Sequence, residues 1–221
     1  MNVLLFGASG MIGQGALREC LLDPEVANVL SVGRSGTGKQ HPKLTKIIHN
    51  DLLDLAAIEE QLSGYDACIF CLGVSSAGMS EEKYRAITYD ITMSIARTLV
   101  KLNPQMTFLY VTGMGTDSTE QGRSMWARVK GKTENDLLKM PFKGAYMFRP
   151  GAILPKHGVK SKTKLYQFFY VILKPLYPLM ERMKSVTTSD NLAWAMVKVA
   201  KHGHDKAIID SEEINRIALN R

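Results

Sequence analysis

The chain opens with Asn2-Val3-Leu4-Leu5-Phe6-Gly7-Ala8-Ser9-Gly10-Met11-Ile12-Gly13, and this stretch decides the fold. An apolar run without polar alternation predicts a short strand covered on both faces. Glycines follow at Gly7, Gly10 and Gly13, and a helical pattern covers 11–22. Asp23-Pro24 ends that helix, because proline disfavours helical geometry in the residue before it. Gly7 permits a sharp strand exit, Gly10 lets backbone approach a pyrophosphate, and Gly13 lets the helix pack closely on the strand. The helix start also presents unpaired N–H groups and a partial positive charge to a phosphate. A tight turn with no ligand is the competing reading, but strand, turn and helix stand in the order the motif requires. Gly7, Ser9, Gly10, Met11, Ile12 and Gly13 are the candidate dinucleotide contacts.

Apolar runs then alternate with helical patterns, which predicts βαβ units and a parallel sheet. The expected strands are Asn2–Phe6, Asn28–Val32, Thr45–His49, Ala67–Leu72, Thr107–Thr112, Ala145–Arg149 and Ala207–Ile209, and the expected helices are 11–22, 55–62, 81–102, 125–139, 189–201 and 211–219. The fold class that follows is α/β: a doubly wound Rossmann-type parallel sheet of about seven strands, in a single domain over 1–221. The 221 residues, 45% hydrophobic and 22% charged, have ordinary globular composition and exclude a disordered or fibrous chain. Three cysteines build no disulfide framework. The first residues carry no basic n-region and no small-residue cleavage site, so a cytoplasmic location is expected.

Lys+Arg exceed Asp+Glu by seven, and most of the excess sits in residues 156–184, where six lysines and Arg182 face only Glu181. So local a charge argues against nucleic acid, whose binders more often spread a basic stripe over the fold. The segment is an insertion after the sixth strand. Within it 160–182 is aromatic and apolar, but its unbroken apolar stretch, inside Leu165–Met180, is too short to span a bilayer, which needs about 20 residues. Two readings stand: a lid or homodimer element over a substrate cleft, or a peripheral membrane anchor whose lysines meet anionic headgroups.

The second strand ends Val32-Gly33-Arg34-Ser35, with no Asp or Glu between Asn28 and His41. A carboxylate here would hold the ribose 2′-OH of NAD, whereas arginine suits a 2′-phosphate. Arg34 and Ser35, helped by Lys39, therefore favour NADP over NAD. After the third strand, Asp51 and Leu52 are candidates for the adenine, Asp51 serving equally well as a helix cap. Cys71-Leu72-Gly73 closes the fourth strand, where small Gly73 lets a cofactor pass.

With these residues in hand, the chain resembles the short-chain dehydrogenase/reductase superfamily, specifically its atypical members. These include the NAD(P)-binding epimerase/dehydratase-like and the Tat-interacting oxidoreductase-like proteins. The resemblance covers essentially the whole chain. It is carried by the glycine turn, Gly33-Arg34-Ser35, Asp51-Leu52, Tyr110-Val111-Thr112-Gly113, Lys130-Gly131-Lys132-Thr133-Glu134 and Phe148-Arg149-Pro150-Gly151-Ala152-Ile153. It implies that Pro150, Gly151 and Ile153 meet the nicotinamide end through backbone groups, and that Lys130 holds the ribose hydroxyls. It also implies a tyrosine four residues before that lysine, with a nearby hydroxyl positioning the substrate oxygen. Here the tyrosine position holds Trp126, and indole cannot exchange a proton at physiological pH. Thr112 keeps a hydroxyl where the family often has serines. Ser124, Tyr84, Tyr89 and Tyr110 are the candidate substitutes, while Trp126 and Ser124 are assigned to the substrate pocket.

Cys68 and Cys71 have C-x-x-C spacing but point to opposite strand faces. His202 and His204 have no further ligand nearby in sequence. No metal site is expected. The expected function is NADP-dependent hydride transfer with a small substrate, of oxidoreductase or epimerase-like type, with Lys130 and Thr112 as catalytic groups. A catalytically weak NADP(H)-sensing protein is the alternative, because Trp126 replaces tyrosine.

Overall fold

The computed structural model describes residues 1–157, 177–181 and 183–219. Most of the segment read as a lid, dimer element or membrane-surface anchor therefore lies outside the described residues. No helix among the described residues is long and apolar enough to cross a membrane.

The strands are β1 (Asn2–Phe6), β2 (Asn28–Gly33), β3 (Leu44–Ile48), β4 (Ala67–Phe70), β5 (Thr107–Val111), β6 (Gly144–Arg149), β7 (Ala152–Leu154), β8 (Val186–Thr188) and β9 (Ile208–Asp210). The helices are α1 (Met11–Leu22), α2 (Glu81–Arg85), α3 (Ile91–Leu102), α4 (Met125–Leu138), α5 (Tyr177–Met180), α6 (Ser189–His202) and α7 (Ser211–Ala218). Seven strands form one sheet in the order β3-β2-β1-β4-β5-β6-β9. Every neighbouring pair is parallel; in register, Val3 faces Val29 on one side and Ala67 on the other.

Residues of the central strands alternate between two cores, so an unbroken apolar run is needed to cover both faces. Val3, Leu5, Ala67, Ile69 and Leu109 join α1, α6 and α7 on one side. Leu4, Phe6, Cys68, Phe70 and Phe108 join α3 and the Ala56–Leu62 turn on the other. Phe6, Phe70 and Phe108 stack across adjacent strands at centroid separations of 5.8 and 5.9 Å. Removing one such ring costs about 3–5 kcal/mol.

The expected elements stand, with differences in detail. The 55–62 helix is a 3-10 helix, Ala56–Leu62, and the 81–102 helix contains a π segment, Ala86–Asp90. β4 ends at Phe70, so Cys71 and Leu72 belong to the loop beyond it. β7 and β8, which flank the insertion in sequence, pair in a separate parallel sheet.

Candidate functional site

Chain connections run to opposite sides of β1 and β4, and a crevice opens beyond the carboxyl ends of such strands. A cavity of about 510 Å³ occupies that position. Its walls come from the head of α1 (Gly10, Met11, Ile12), the loop after β4 (Cys71 to Ser76), α2 (Tyr84), the end of β5 (Val111, Thr112) and α4 (Trp126, Lys130).

The glycine turn is built to bring backbone against backbone. Gly7 has φ +86°, and a side chain there would stand 2.7 Å from the carbonyl carbon of Cys71. A Cβ at Gly13 would overlap the Gly7 carbonyl oxygen. The amide of Gly10 donates to the same Gly7 oxygen at 3.0 Å. Helix α1 thus begins directly above β1 with no side-chain cap on its first turn. Its first amides lack intrahelical acceptors and stand at the cavity wall, a donor set suited to a phosphate bridge.

Lys130 reaches the cavity from α4, and its Nζ donates to the carbonyl oxygen of Thr112 at 2.9 Å. Burial pushes the ammonium down to about 8, while the Glu134 charge opposes that shift. Glu134 is fully buried and was missed by the sequence reading. It accepts the Thr112 hydroxyl at 2.5 Å and two bonds from the Arg149 Nε at 3.0 and 3.1 Å. Arg149 Nη2 pairs with the same carboxylate and also donates to Ser118 Oγ at 2.6 Å. The available signal was the i, i+4 spacing of Lys130 and Glu134, but in sequence Lys132, Asn135 and Asp136 make that stretch look like a solvated helix face.

Several candidates are redirected. The Thr112 hydroxyl donates into the protein, to Glu134 and to the Phe148 carbonyl oxygen at 3.2 Å, so it is engaged in holding the strand end rather than offered to a substrate. Ser124 is exposed at the N-terminal cap of α4 and is absent from the cavity wall. The Pro150 carbonyl accepts from Met114 at 2.8 Å and the Gly151 amide donates to Ser211 at 2.8 Å, while Ile153 lies in the small β7–β8 sheet. Leu52 is buried in the core beside Leu55 and Ile58. Asp51 is exposed and accepts from the Leu53 amide at 3.0 Å; Asp54, rather than Asp51, accepts from Ala56 at the start of the 3-10 helix.

Of the three tyrosines, only Tyr84 lines the cavity. Tyr89 donates to Asp136 at 2.7 Å, and Tyr110 is buried within the core. Burial raises the Tyr84 phenol above its ordinary value, keeping it protonated. Arg34 and Ser35 are exposed at the end of β2, with Ser35 Oγ 3.5 Å from Ser9 Oγ. Arg34 makes no ion pair among the described residues. Cys68 and Cys71 join opposite cores, and His204 Nε2 sits 2.8 Å from Glu213.

The profile of the NAD dependent epimerase/dehydratase family matches residues 3–213. The chain belongs to the NAD dependent epimerase/dehydratase family. Curated relatives include the protein FMP52, mitochondrial, of Meyerozyma guilliermondii, 24% identical over 99% of this chain and 95% of its own length. FMP52-1, mitochondrial, of Scheffersomyces stipitis is 26% identical over 80% of this chain and 77% of its own. These names overturn the expectation of a cytoplasmic location, which rested only on the composition of the first residues. Among solved structures, the chain is similar in fold to WbmF of Bordetella bronchiseptica in complex with NAD+, at a TM-score of 0.68 and 15% identity, covering 99% of this chain and 76% of that one. The dTDP-glucose 4,6-dehydratase DesIV of Streptomyces venezuelae, with NAD and TYD bound, has a TM-score of 0.69 at 16% identity, covering 100% and 80%.

Proposed function

We propose that the protein is an NADP-dependent oxidoreductase that binds the dinucleotide along the β1–β4 crevice and acts on a small uncharged carbonyl or alcohol. The observation that carries this reading is that the glycine turn and Lys130 meet on one cavity. The fit is chemical as well as spatial: unpaired amides for a pyrophosphate, an ammonium for ribose hydroxyls, and glycine where a side chain would block the turn. When bound, the nicotinamide supplies or accepts the hydride at the substrate carbon.

The chain's own groups have separate tasks. Met11 and Ile12 amides face the phosphates, and Lys130 holds the ribose. Arg34 and Ser35 receive the 2′-phosphate, a charge-assisted contact that NAD cannot make. Tyr84 is assigned the proton: held neutral by burial, it gives its phenolic proton to a carbonyl oxygen as hydride reaches the carbon. Trp126 packs beside the substrate and supplies no proton. Parallel titration with NADP and NAD, followed by NADPH oxidation with a panel of carbonyl compounds, tests the proposal; indifference to both dinucleotides defeats it.

A second reading is favoured by Trp126 together with the engagement of the Thr112 hydroxyl. On it the protein is a catalytically weak NADP(H)-responsive binding protein. Turnover with no carbonyl compound, alongside tight NADP binding, would support that reading over the first.

A further inference from the structure

Glu134 is absent from the cavity wall, yet one of its contacts leads there. Its carboxylate accepts the Thr112 hydroxyl, and the carbonyl of the same threonine accepts from the Lys130 Nζ. Glu134 also stands one turn beyond Lys130 on α4, where i and i+4 side chains share a helix face. Arg149 grips the carboxylate through Nε and Nη2, so a wholly buried negative charge is retained at the base of the site.

We propose that Glu134 is a positioning residue for Lys130: through the Thr112 hydroxyl it fixes the end of β5, whose carbonyl anchors the amine. The inference rests on Lys130 being the ribose contact proposed above. A carboxylate serving only the fold would need its arginine partner alone; the bond to Thr112 links this one to the lysine's acceptor. Among the described residues, the remaining titratable groups that share the lysine's cavity are Tyr84 from α2 and the Cys71 thiol beyond β4, both kept neutral by burial. Glu81 and Arg85 of α2 line a separate pocket with Arg128 and Lys132. Glu134, backed by Arg149 of β6, is therefore the charged group that acts on Lys130.

The sign follows from the ordinary behaviour of an amine. Burial favours the neutral form and Glu134 the charged one, so loss of the carboxylate lowers the pH at which Lys130 gives up its proton. The test uses the full chain carrying 13C-dimethylated lysines, with the Lys130 signal assigned by its loss in Lys130→Arg. Without dinucleotide, the wild-type signal should titrate near 8. In Glu134→Gln the midpoint should fall by about one pH unit, and Glu134→Asp should restore most of it. An unchanged midpoint in Glu134→Gln overturns the proposal.

NADP affinity measured across the same pH range separates this inference from the reading it rests on. If Lys130→Met binds NADP as tightly as wild type while Glu134→Gln still moves the midpoint, the ribose assignment fails and the positioning role stands. Should Glu134→Gln not fold, Thr112→Val keeps the Glu134–Arg149 pair and removes the hydroxyl that links Glu134 to the end of β5, along with its second, longer bond to the Phe148 carbonyl. Its Kd for NADP at pH 7 should rise about threefold to tenfold, the effect of one lost hydrogen bond; a wild-type Kd overturns the link.

Discussion

Trp126 and Lys130 stand one helical turn apart on α4 and line the same cavity. The helix therefore delivers both side chains to the crevice, with an indole at the position where the resemblance implied a tyrosine. An indole N–H donates a hydrogen bond but does not exchange its proton near neutrality. Trp126→Tyr should increase NADPH oxidation with small carbonyl compounds, by about tenfold or more if the remaining site is competent. Unchanged turnover would show that the missing phenol is not what limits the chemistry.

Tyr84 reaches the cavity from α2 and is the phenol on its wall among the described residues. Tyr84→Phe keeps the ring and removes the hydroxyl. Turnover should fall by about a hundredfold or more, the ordinary contribution of a general acid, while the Kd for NADP stays within a factor of about two. Steady-state kinetics and a binding titration on the same preparation distinguish these effects. Equal loss of binding and turnover would mean that the ring had been holding the cavity together.

Arg34 should choose between dinucleotides. Arg34→Ala is expected to weaken NADP by about tenfold or more and to leave NAD unchanged, since only the former carries the phosphate that its guanidinium would meet. Isothermal titration with both ligands checks the difference. A parallel loss for both would reduce Arg34 to a general surface charge.

The sequence made the frame legible because two periodicities carry it. Strands such as Val3-Leu4-Leu5-Phe6 are apolar at every position, which only a sheet covered on both faces requires, and α1 is bounded by Gly10 and Asp23-Pro24. Three-residue β7 and β8 were invisible, because their pairing depends on chain segments more than thirty residues apart. Within the site, the glycine turn was readable from spacing and Lys130 from the resemblance. The engagement of the Thr112 hydroxyl was not: Glu134 lies twenty-two residues away and meets it only through the packing of α4 on the sheet. Pro150 and Gly151 were expected to offer free backbone groups, and Met114 and Ser211 occupy them for the same reason.

Stability in acid should depend on Glu213, whose carboxylate receives His204, Lys206 and Arg216. The Arg216 bonds come first in holding it down at about 2, against an ordinary value of 4.5. A group depressed on folding stabilises the protein above its unfolded value, and that stabilisation disappears as pH falls through the folded one. Wild-type Tm should therefore decline between about pH 4.5 and 2, and Glu213→Gln should flatten that decline while lowering Tm at pH 7. Identical acid limbs for the two proteins would count against the cluster.

Removal of the close approach at the glycine turn should be severe. A methyl group at Gly13 must push α1 from β1, and overpacking of this kind costs about 1–3 kcal/mol. Gly13→Ala should melt at a lower temperature than wild type and bind NADP poorly even when folded at low temperature. Retention of both properties would mean that the turn is looser than its geometry states.

The most direct test follows the fluorescence of Trp126 as dinucleotide is added to the Trp194→Phe variant, which removes the second of the two tryptophans, the one on α6. A saturable change with NADP, weaker with NAD and abolished in Lys130→Met, is the expected result. A flat signal for both dinucleotides, with binding also undetected by calorimetry, would contradict the assignment of the crevice.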